Sequence, residues 1–230
     1  MDILLIGGMW LDGSVAWDQV AAALADRRHR GIPVALPGQG DGNMAATLAD
    51  QSAAVAAAVD AADGRPLVAG HSAASTLAWM AADARPEKIS QVALIGGFPS
   101  ADGETYFGEF PVVDGAVPFP GWATFEGPDS ADLDDAAKQA IASAMVAVPA
   151  GVTQGVVRLT DERRYEVPVV LVCPEFSPAQ AREWIDEGAV PELTRAKQVS
   201  YVDLETGHWP MYSAPAELAR VLSELAGESR

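Results

Sequence analysis

Residues 67–75 read Leu-Val-Ala-Gly-His-Ser-Ala-Ala-Ser. An apolar run stops at small residues and passes at once into an alanine-rich helical stretch. A chain that turns from strand to helix this sharply has little room at the bend. Gly70 and Ala74, two residues before and two after Ser72, meet that demand. The pattern is that of a nucleophile elbow, G-x-S-x-G, with alanine in place of the last glycine. Such a turn lifts the serine oxygen clear of the sheet and points it at the positive end of the next helix. Short motifs also match by chance, so the rest of the chain has to carry the reading.

The flanking pattern does so. Residues 2–7, 32–36, 66–69 and 91–97 are continuous apolar runs rather than alternating ones, which is how strands buried on both faces read. Helical stretches over 20–31, 45–62 and 73–84 separate them. That alternation predicts βαβ crossovers and an α/β fold with a doubly wound, mostly parallel sheet. Strands at 167–173 and 199–204 and helices at 178–187, 191–197 and 214–225 complete the pattern. Between the fourth and fifth strands, residues 98–166 are rich in glycine, proline and aromatics, with no clear strand and one helix over 130–146. Tyr106, Phe107, Phe110, Phe119, Trp122 and Phe125 argue against disorder there. A cap folded over the end of the sheet fits such a long excursion. At 230 residues the chain suits one domain, 1–230, with the cap at 98–166 inside it.

Composition excludes several partners. A formal net charge of −17 argues against nucleic acid and anionic membrane surfaces, which need clustered Lys and Arg. The single cysteine, Cys173, rules out an internal disulfide and ends an apolar strand, so it reads as a buried small hydrophobe. The glycine-rich Pro-Gly-Gln-Gly-Asp-Gly loop at 37–42 has neither the Lys-Ser/Thr ending of a phosphate loop nor dinucleotide-fingerprint spacing. No clustered His/Cys/carboxylate set suggests a metal, and no cofactor is implied. No apolar run reaches transmembrane length and no basic-then-apolar leader opens the sequence, so a soluble cytoplasmic protein is expected. A homodimer is compatible with all of this.

A serine hydroxyl needs a base to take its proton, and the base needs a third group to orient it. Of the three histidines, His29 falls in an exposed basic turn. His71 adjoins Ser72, but neighbouring side chains on a sharp turn point apart. His208 follows the last strand, at the carboxyl edge of the sheet where open α/β sheets place their sites. The orienting acid is expected between Ser72 and His208 in the chain, at a strand end. Glu175 stands there in Cys-Pro-Glu-Phe-Ser-Pro; Asp102 and Asp203 are the alternatives. Two backbone N–H groups are expected to bind the oxyanion: that of Ala73, after the serine, and that of Met9, in the loop where Gly7 and Gly8 allow close approach.

The segments 6–17 (Ile-Gly-Gly-Met-Trp-Leu-Asp-Gly-Ser-Val-Ala-Trp), 36–42 (Leu-Pro-Gly-Gln-Gly-Asp-Gly), 70–75 (Gly-His-Ser-Ala-Ala-Ser) and 206–210 (Thr-Gly-His-Trp-Pro), in this order, resemble the α/β-hydrolase superfamily. They are most similar to its small single-domain esterases and its plant-esterase and hydroxynitrile-lyase-like branch. The resemblance spans nearly the whole chain. It implies Ser72 as nucleophile, His208 as base, an oxyanion hole from Met9 and Ala73, and a sheet that begins at the third strand of the full fold. Two departures stand out: Gly7-Gly8 where the family usually has His-Gly, and glutamate where it usually has aspartate. The expected activity is cleavage of a carboxylic ester, thioester or lactone through an acyl-enzyme. Trp10, His71, Phe98, Trp122 and Trp209 are expected to line an apolar pocket for a small ester-like molecule. The alternatives are a hydroxynitrile-type lyase on the same site and a ligand-binding protein of the same fold without catalysis. Aspartate-nucleophile branches are disfavoured, because Ser72 stands where their aspartate would be.

Overall fold

The computed structural model describes residues 1–228. In chain order its first half comprises β1 (Asp2–Ile6), α1 (Gly13–Ala16), α2 (Asp18–Asp26), β2 (Arg30–Pro33), α3 (Leu48–Ala61), β3 (Leu67–His71), α4 (Ala74–Ala84) and β4 (Gln91–Ile95). The second half holds β5 (Ala116–Val117), α5 (Asp135–Ala144), β6 (Val148–Pro149), α6 (Ala150–Thr153), β7 (Val169–Cys173), α7 (Pro178–Asp186), α8 (Pro191–Arg195), β8 (Val199–Asp203), α9 (Pro210–Ser213) and α10 (Pro215–Glu228). Six strands form one parallel sheet in the order β2-β1-β3-β4-β7-β8.

That order contains a switch. The chain leaves β1 for β2 on one side and then crosses to β3 on the other, with Ile6 opposite Gly70. The loops after β1 and β3 therefore diverge over neighbouring strand ends. Such a divergence opens the crevice in which α/β sheets bind ligands.

The continuous apolar runs have the expected consequence. Along β1, Leu4 and Ile6 face one core with Val68, Val92, Leu94 and Leu171. Ile3 and Leu5 face the other with Leu67, Ala69, Ala93 and Val172. Period-two geometry divides each run between two helical layers. α3 and α4 cover the first face; α2 and α10 cover the second. Each fully buried Leu or Ile contributes about 1.5–3 kcal/mol relative to exposure. The strands at the two edges differ from expectation. β2 runs Arg30–Pro33 rather than 32–36, and it and β8 are only partly buried. An edge strand has a neighbour on one side only, so its apolar content overstates its burial.

α3 starts at Leu48 and not at 45, because Thr47 caps it: its hydroxyl accepts the Asp50 N–H while the Asp50 carboxylate accepts the Thr47 N–H. α4 is buried on nearly every side, since the returning end of the 98–166 insertion packs on its far end. There the Arg164 guanidinium, 4% exposed, pairs with Glu192 (2.8 Å) and Asp83 (3.2 Å), and Trp79 Nε1 donates to Glu192 at 2.9 Å. Asp83 also accepts the N–H groups of Thr160 and Asp161, both at 2.8 Å.

The insertion contains strands that its sequence hides. β5 and β6 form a two-residue antiparallel pair, too short to carry a periodic signal. Its helix α5 is shorter than the expected 130–146, starting after the cap Asp134, whose side chain accepts the Ala137 N–H.

Candidate active site

β3 delivers Ser72 into a left-handed backbone conformation, φ +54°. A non-glycine residue held there stores strain on the order of 1–3 kcal/mol, and such outliers cluster at functional sites. Three glycines make the turn possible. A Cβ at Gly8 would lie 2.8 Å from the His71 carbonyl oxygen and 2.9 Å from Ser72 Cβ. A Cβ at Gly70 would run into the Ala74 carbonyl, and one at Gly97 into the Ser72 backbone. The Ser72 N–H donates to the Ile95 carbonyl at 2.8 Å, which fixes the turn to the end of β4. Among the described residues, the Ser72 hydroxyl makes no hydrogen bond.

His208 lies in the loop after β8, half-buried, with Nδ1 2.7 Å from Oε1 of Glu175. Glu175 sits two residues beyond β7. An ionised carboxylate only accepts, so Nδ1 carries the proton and Nε2 is left as the basic nitrogen. Gly96, at φ +59°, runs beneath the pair: a Cβ there would come 3.1 Å from Glu175 Oε2 and 3.3 Å from His208 Nδ1. The histidine loop is fixed on three further sides. The His208 N–H donates to the Asp129 carbonyl (2.7 Å), the Gly207 N–H to the Asp132 carboxylate (2.7 Å), and His71 Nε2 to the His208 carbonyl (2.7 Å). Burial holds His71 well below the ordinary histidine value, and the His208 charge adds to this. It is therefore neutral, with its one proton on Nε2. The Asp129 carboxyl is raised by burial; His208 counteracts this and Glu175 adds to it.

The other acid candidates lie elsewhere. Asp102 accepts the Leu159 N–H at 2.9 Å and ties the two ends of the insertion together. Asp203 is exposed at the end of the edge strand β8. His29 immediately precedes β2, in the loop at the amino end of the sheet. Cys173 is fully buried, and its thiol is pushed up to about 12 by that burial.

The loop after β1 faces the elbow. Neither the Met9 N–H nor the Ala73 N–H is hydrogen-bonded among the described residues. Buried backbone donors are rarely left unpaired, and Met9 is buried. Unpaired backbone donors are available to bind negative charge. The next residue, Trp10, has φ +65° and is pinned to the insertion: its Nε1 donates to the Val117 carbonyl (3.2 Å), and its own carbonyl accepts the Val146 N–H (2.9 Å).

Ser72 and Ala73 open into a cavity of about 450 Å³ bordered also by Thr76, Phe98, Tyr106 and Phe107. Of the five residues expected to line a pocket, Phe98 borders this cavity. Trp10, His71, Trp122 and Trp209 are not among the residues that border it. Trp10 is a buried anchor packed edge-on against Phe107, Phe110, Phe119 and Phe125, because its indole N–H finds its acceptor in β5. Trp209 is buried beneath Trp122 and Phe125, and Trp122 donates to the Lys138 carbonyl at 2.8 Å. His71 lies under His208. The cavity is also less apolar than expected, since Ser100, Glu104 and Glu109 border it. Nothing in the sequence sets Asp129, Asp132 and Gln39 apart from other loop residues, yet each contacts a loop of the site.

A sequence profile of the alpha/beta hydrolase family matches residues 3–221. The chain belongs to the alpha/beta hydrolase family. Solved structures share the architecture over the whole length of this alpha/beta hydrolase. An extracellular α/β-hydrolase from a Paenibacillus species, described as sharing structural and functional homology with tobacco salicylic acid binding protein 2, superimposes with a TM-score of 0.78 at 17% identity, covering 97% of this chain and 98% of that one. A methylesterase from Arabidopsis gives 0.76 at 15% identity over 99% of both chains. A pyrethroid hydrolase from Sphingobium faniae JZ-2 gives 0.72 at 21% identity, covering 99% and 97%. No protein with a curated description matches the sequence significantly. Among the described residues of this alpha/beta hydrolase, no group of three or more His, Cys, Asp or Glu side chains could hold a metal ion. Among the described residues, no helix is long and apolar enough to cross a membrane.

Proposed function

We propose that this chain is a serine hydrolase that cleaves a carboxylic ester, thioester or lactone through an acyl-enzyme on Ser72. The observation that carries the reading is the 2.7 Å hydrogen bond between Glu175 and Nδ1 of His208. It fixes the tautomer that leaves Nε2 free to act as a base beside an elbow serine. Ser72 Oγ attacks the substrate carbonyl as Nε2 takes its proton. The oxyanion is stabilised by the N–H groups of Met9 and Ala73. Collapse of the tetrahedral intermediate expels the alcohol or thiol, protonated by the His208 imidazolium; in a lactone that group stays attached to the acyl chain. Water, deprotonated by the same nitrogen, then attacks the acyl-enzyme and frees the acid and Ser72.

The insertion acts as a cap in this reading, and the cavity it borders with Phe98, Tyr106 and Phe107 takes the part of the substrate beyond the scissile bond. The structural relatives named as a methylesterase and a pyrethroid hydrolase point to esters as the first substrates to try. A fluorophosphonate probe tests the reading. It should label the folded wild-type protein with time and at Ser72, and Ser72→Ala should remain unlabelled. Folded wild-type protein that resists the probe would exclude the hydrolase reading in favour of a binding protein. Cyanohydrin cleavage without ester hydrolysis would point to a lyase.

A further inference from the structure

The glycine-rich loop at 37–42 has no part in the reaction as described, yet it sends a buried side chain into the oxyanion loop. Gln39 is 6% exposed. Its amide nitrogen donates to the carbonyl of Gly8 at 2.9 Å and to that of Leu11 at 3.0 Å. Its oxygen accepts from Nε2 of Gln51 at 3.0 Å, and the same nitrogen donates to the Pro37 carbonyl at 2.9 Å. Gln51 is fully buried. It occupies the inward stripe of α3 together with Leu48, Val55 and Val59, where an apolar residue is the ordinary choice.

The geometry points to Gln39, backed by Gln51, as a positioning residue for the oxyanion hole. The inference rests on the hydrolase reading of Ser72. Residues 8–11 form a turn whose own closing bond, Leu11 N–H to Gly8 carbonyl, is long at 3.4 Å. The turn also carries Trp10 at φ +65°, a conformation that turns ordinarily give to glycine. Such a turn does not hold its shape unaided. Gln39 bridges its two ends with two shorter bonds. The Gly8–Met9 peptide is planar and trans, so its carbonyl and its N–H point in opposite directions. Drawing the Gly8 carbonyl towards Gln39 therefore turns the Met9 N–H the other way. Gln51 fixes the orientation of the Gln39 amide: by donating to its oxygen, it leaves both amide protons for the two carbonyls. Gln39 touches neither substrate nor Ser72. Its effect is to hold a donor where charge develops, and so to act on the transition state more than on ground-state binding.

The test uses the full-length protein, a fluorophosphonate probe, p-nitrophenyl butyrate and an aryl trifluoromethyl ketone. Wild-type labelling at Ser72 comes first, and its absence overturns the hydrolase reading and this inference with it. Given labelling, Gln39→Met keeps the volume and loses both donors. It should lower kcat by about 10- to 100-fold, below the full loss of an oxyanion donor. KM should change little, and ketone affinity should weaken in step with kcat/KM. Gln39→Glu should be slower still near neutral pH and recover part of its rate, relative to wild type, at lower pH. There the carboxyl regains one proton to donate, a signature that a purely structural role would not produce. A folded Gln39→Met with wild-type kcat and ketone affinity overturns the inference while leaving the hydrolase reading intact. If Gln39→Met fails to fold, Gln51→Met decides: a fall in labelling rate with unchanged KM supports the relay, and an unchanged rate overturns it.

Discussion

Oε1 of Glu175 lies 2.7 Å from Nδ1 of His208, although the two residues come from loops after different strands, β7 and β8. The pair fixes which nitrogen of the imidazole carries the proton and leaves Nε2 as the basic one. Glu175→Gln keeps the shape and removes the charge, and its amide can present N–H to Nδ1 and so favour the wrong tautomer. Turnover should fall about a thousandfold or more, with unfolding temperature little changed. Asp102→Ala removes a bond to Leu159 within the insertion and should leave turnover close to wild type. Steady-state hydrolysis of p-nitrophenyl butyrate reads both. Full activity in Glu175→Gln together with loss in Asp102→Ala would reverse the assignment of the acid.

The places of the candidate residues along the sheet were readable for a definite reason. Ser72 and Glu175 follow buried strands and His208 follows the edge strand β8, and a parallel sheet brings all such ends to one edge; Met9 and Ala73 follow from the same rule. The partners that reach them from other segments were not readable. Gln39 sits in a glycine-rich loop in which no period or motif marks its amide as a buried donor. Asp129 and Asp132 belong to the insertion, where no period locates a residue in space. Gln51 alone offered a signal, as a polar side chain on the apolar stripe 48, 55, 59 of α3. Two of the aromatics expected at the pocket pack instead with their indole N–H groups towards backbone carbonyls. Trp10 found one at Val117 and Trp122 one at Lys138.

Gly8 separates the loop after β1 from the elbow by the width of a missing side chain. The methyl group of Gly8→Ala would press on backbone and Cβ atoms of His71 and Ser72 at 2.8–2.9 Å, atoms that cannot rotate away. The loop must retreat from Ser72, which carries the Met9 N–H with it. A cost on the order of 1–3 kcal/mol in stability is expected from the overpacking. Phosphonylation of Ser72 by the fluorophosphonate probe, with loss of fluoride, should slow about 100-fold. Urea unfolding and labelling rate give the two numbers separately, and a wild-type labelling rate in this variant would show that the loop plays no part in stabilising the transition state.

His71 supplies a pH dependence whose sign can be worked out. It is buried neutral, with its value held below the unfolded one near 6.5 by burial first and by the His208 charge second. Below about pH 6.5 the unfolded chain therefore binds a proton that the folded chain refuses. Stability rises with pH wherever the unfolded state holds more protons. The His71 contribution is thus complete above about pH 6.5 and is lost as the pH falls below that value. His71→Gln removes this titration while keeping a side chain that can donate to the His208 carbonyl. Urea midpoints measured from pH 7.5 down to 5 should fall less steeply for His71→Gln than for wild type. Parallel curves would show that His71 titrates normally.

Arg164 neutralises two carboxylates, Glu192 and Asp83, in a region closed to water. Arg164→Met retains the length and apolar stem of the side chain but leaves those carboxylates buried without their cation. Breaking a buried pair from one side costs about 3–5 kcal/mol, a large share of the stability of an ordinary domain. The loss should itself depend on pH. Without arginine, Glu192 in the folded chain is driven above its unfolded value, so the folded state gains a proton first as the pH falls. The deficit of Arg164→Met relative to wild type should therefore be full at neutral pH and shrink towards pH 5. Turnover per folded molecule should survive at low temperature, because Asp83 lies about 14 Å along α4 from the elbow end, at 1.5 Å per residue. Urea unfolding at pH 7.5 and 5, with hydrolysis rates at 10 °C, separates these effects. An unchanged midpoint at pH 7.5 would mean that the cluster is hydrated and contributes little. A loss of turnover in fully folded Arg164→Met would mean that the far end of α4 controls the geometry at Ser72.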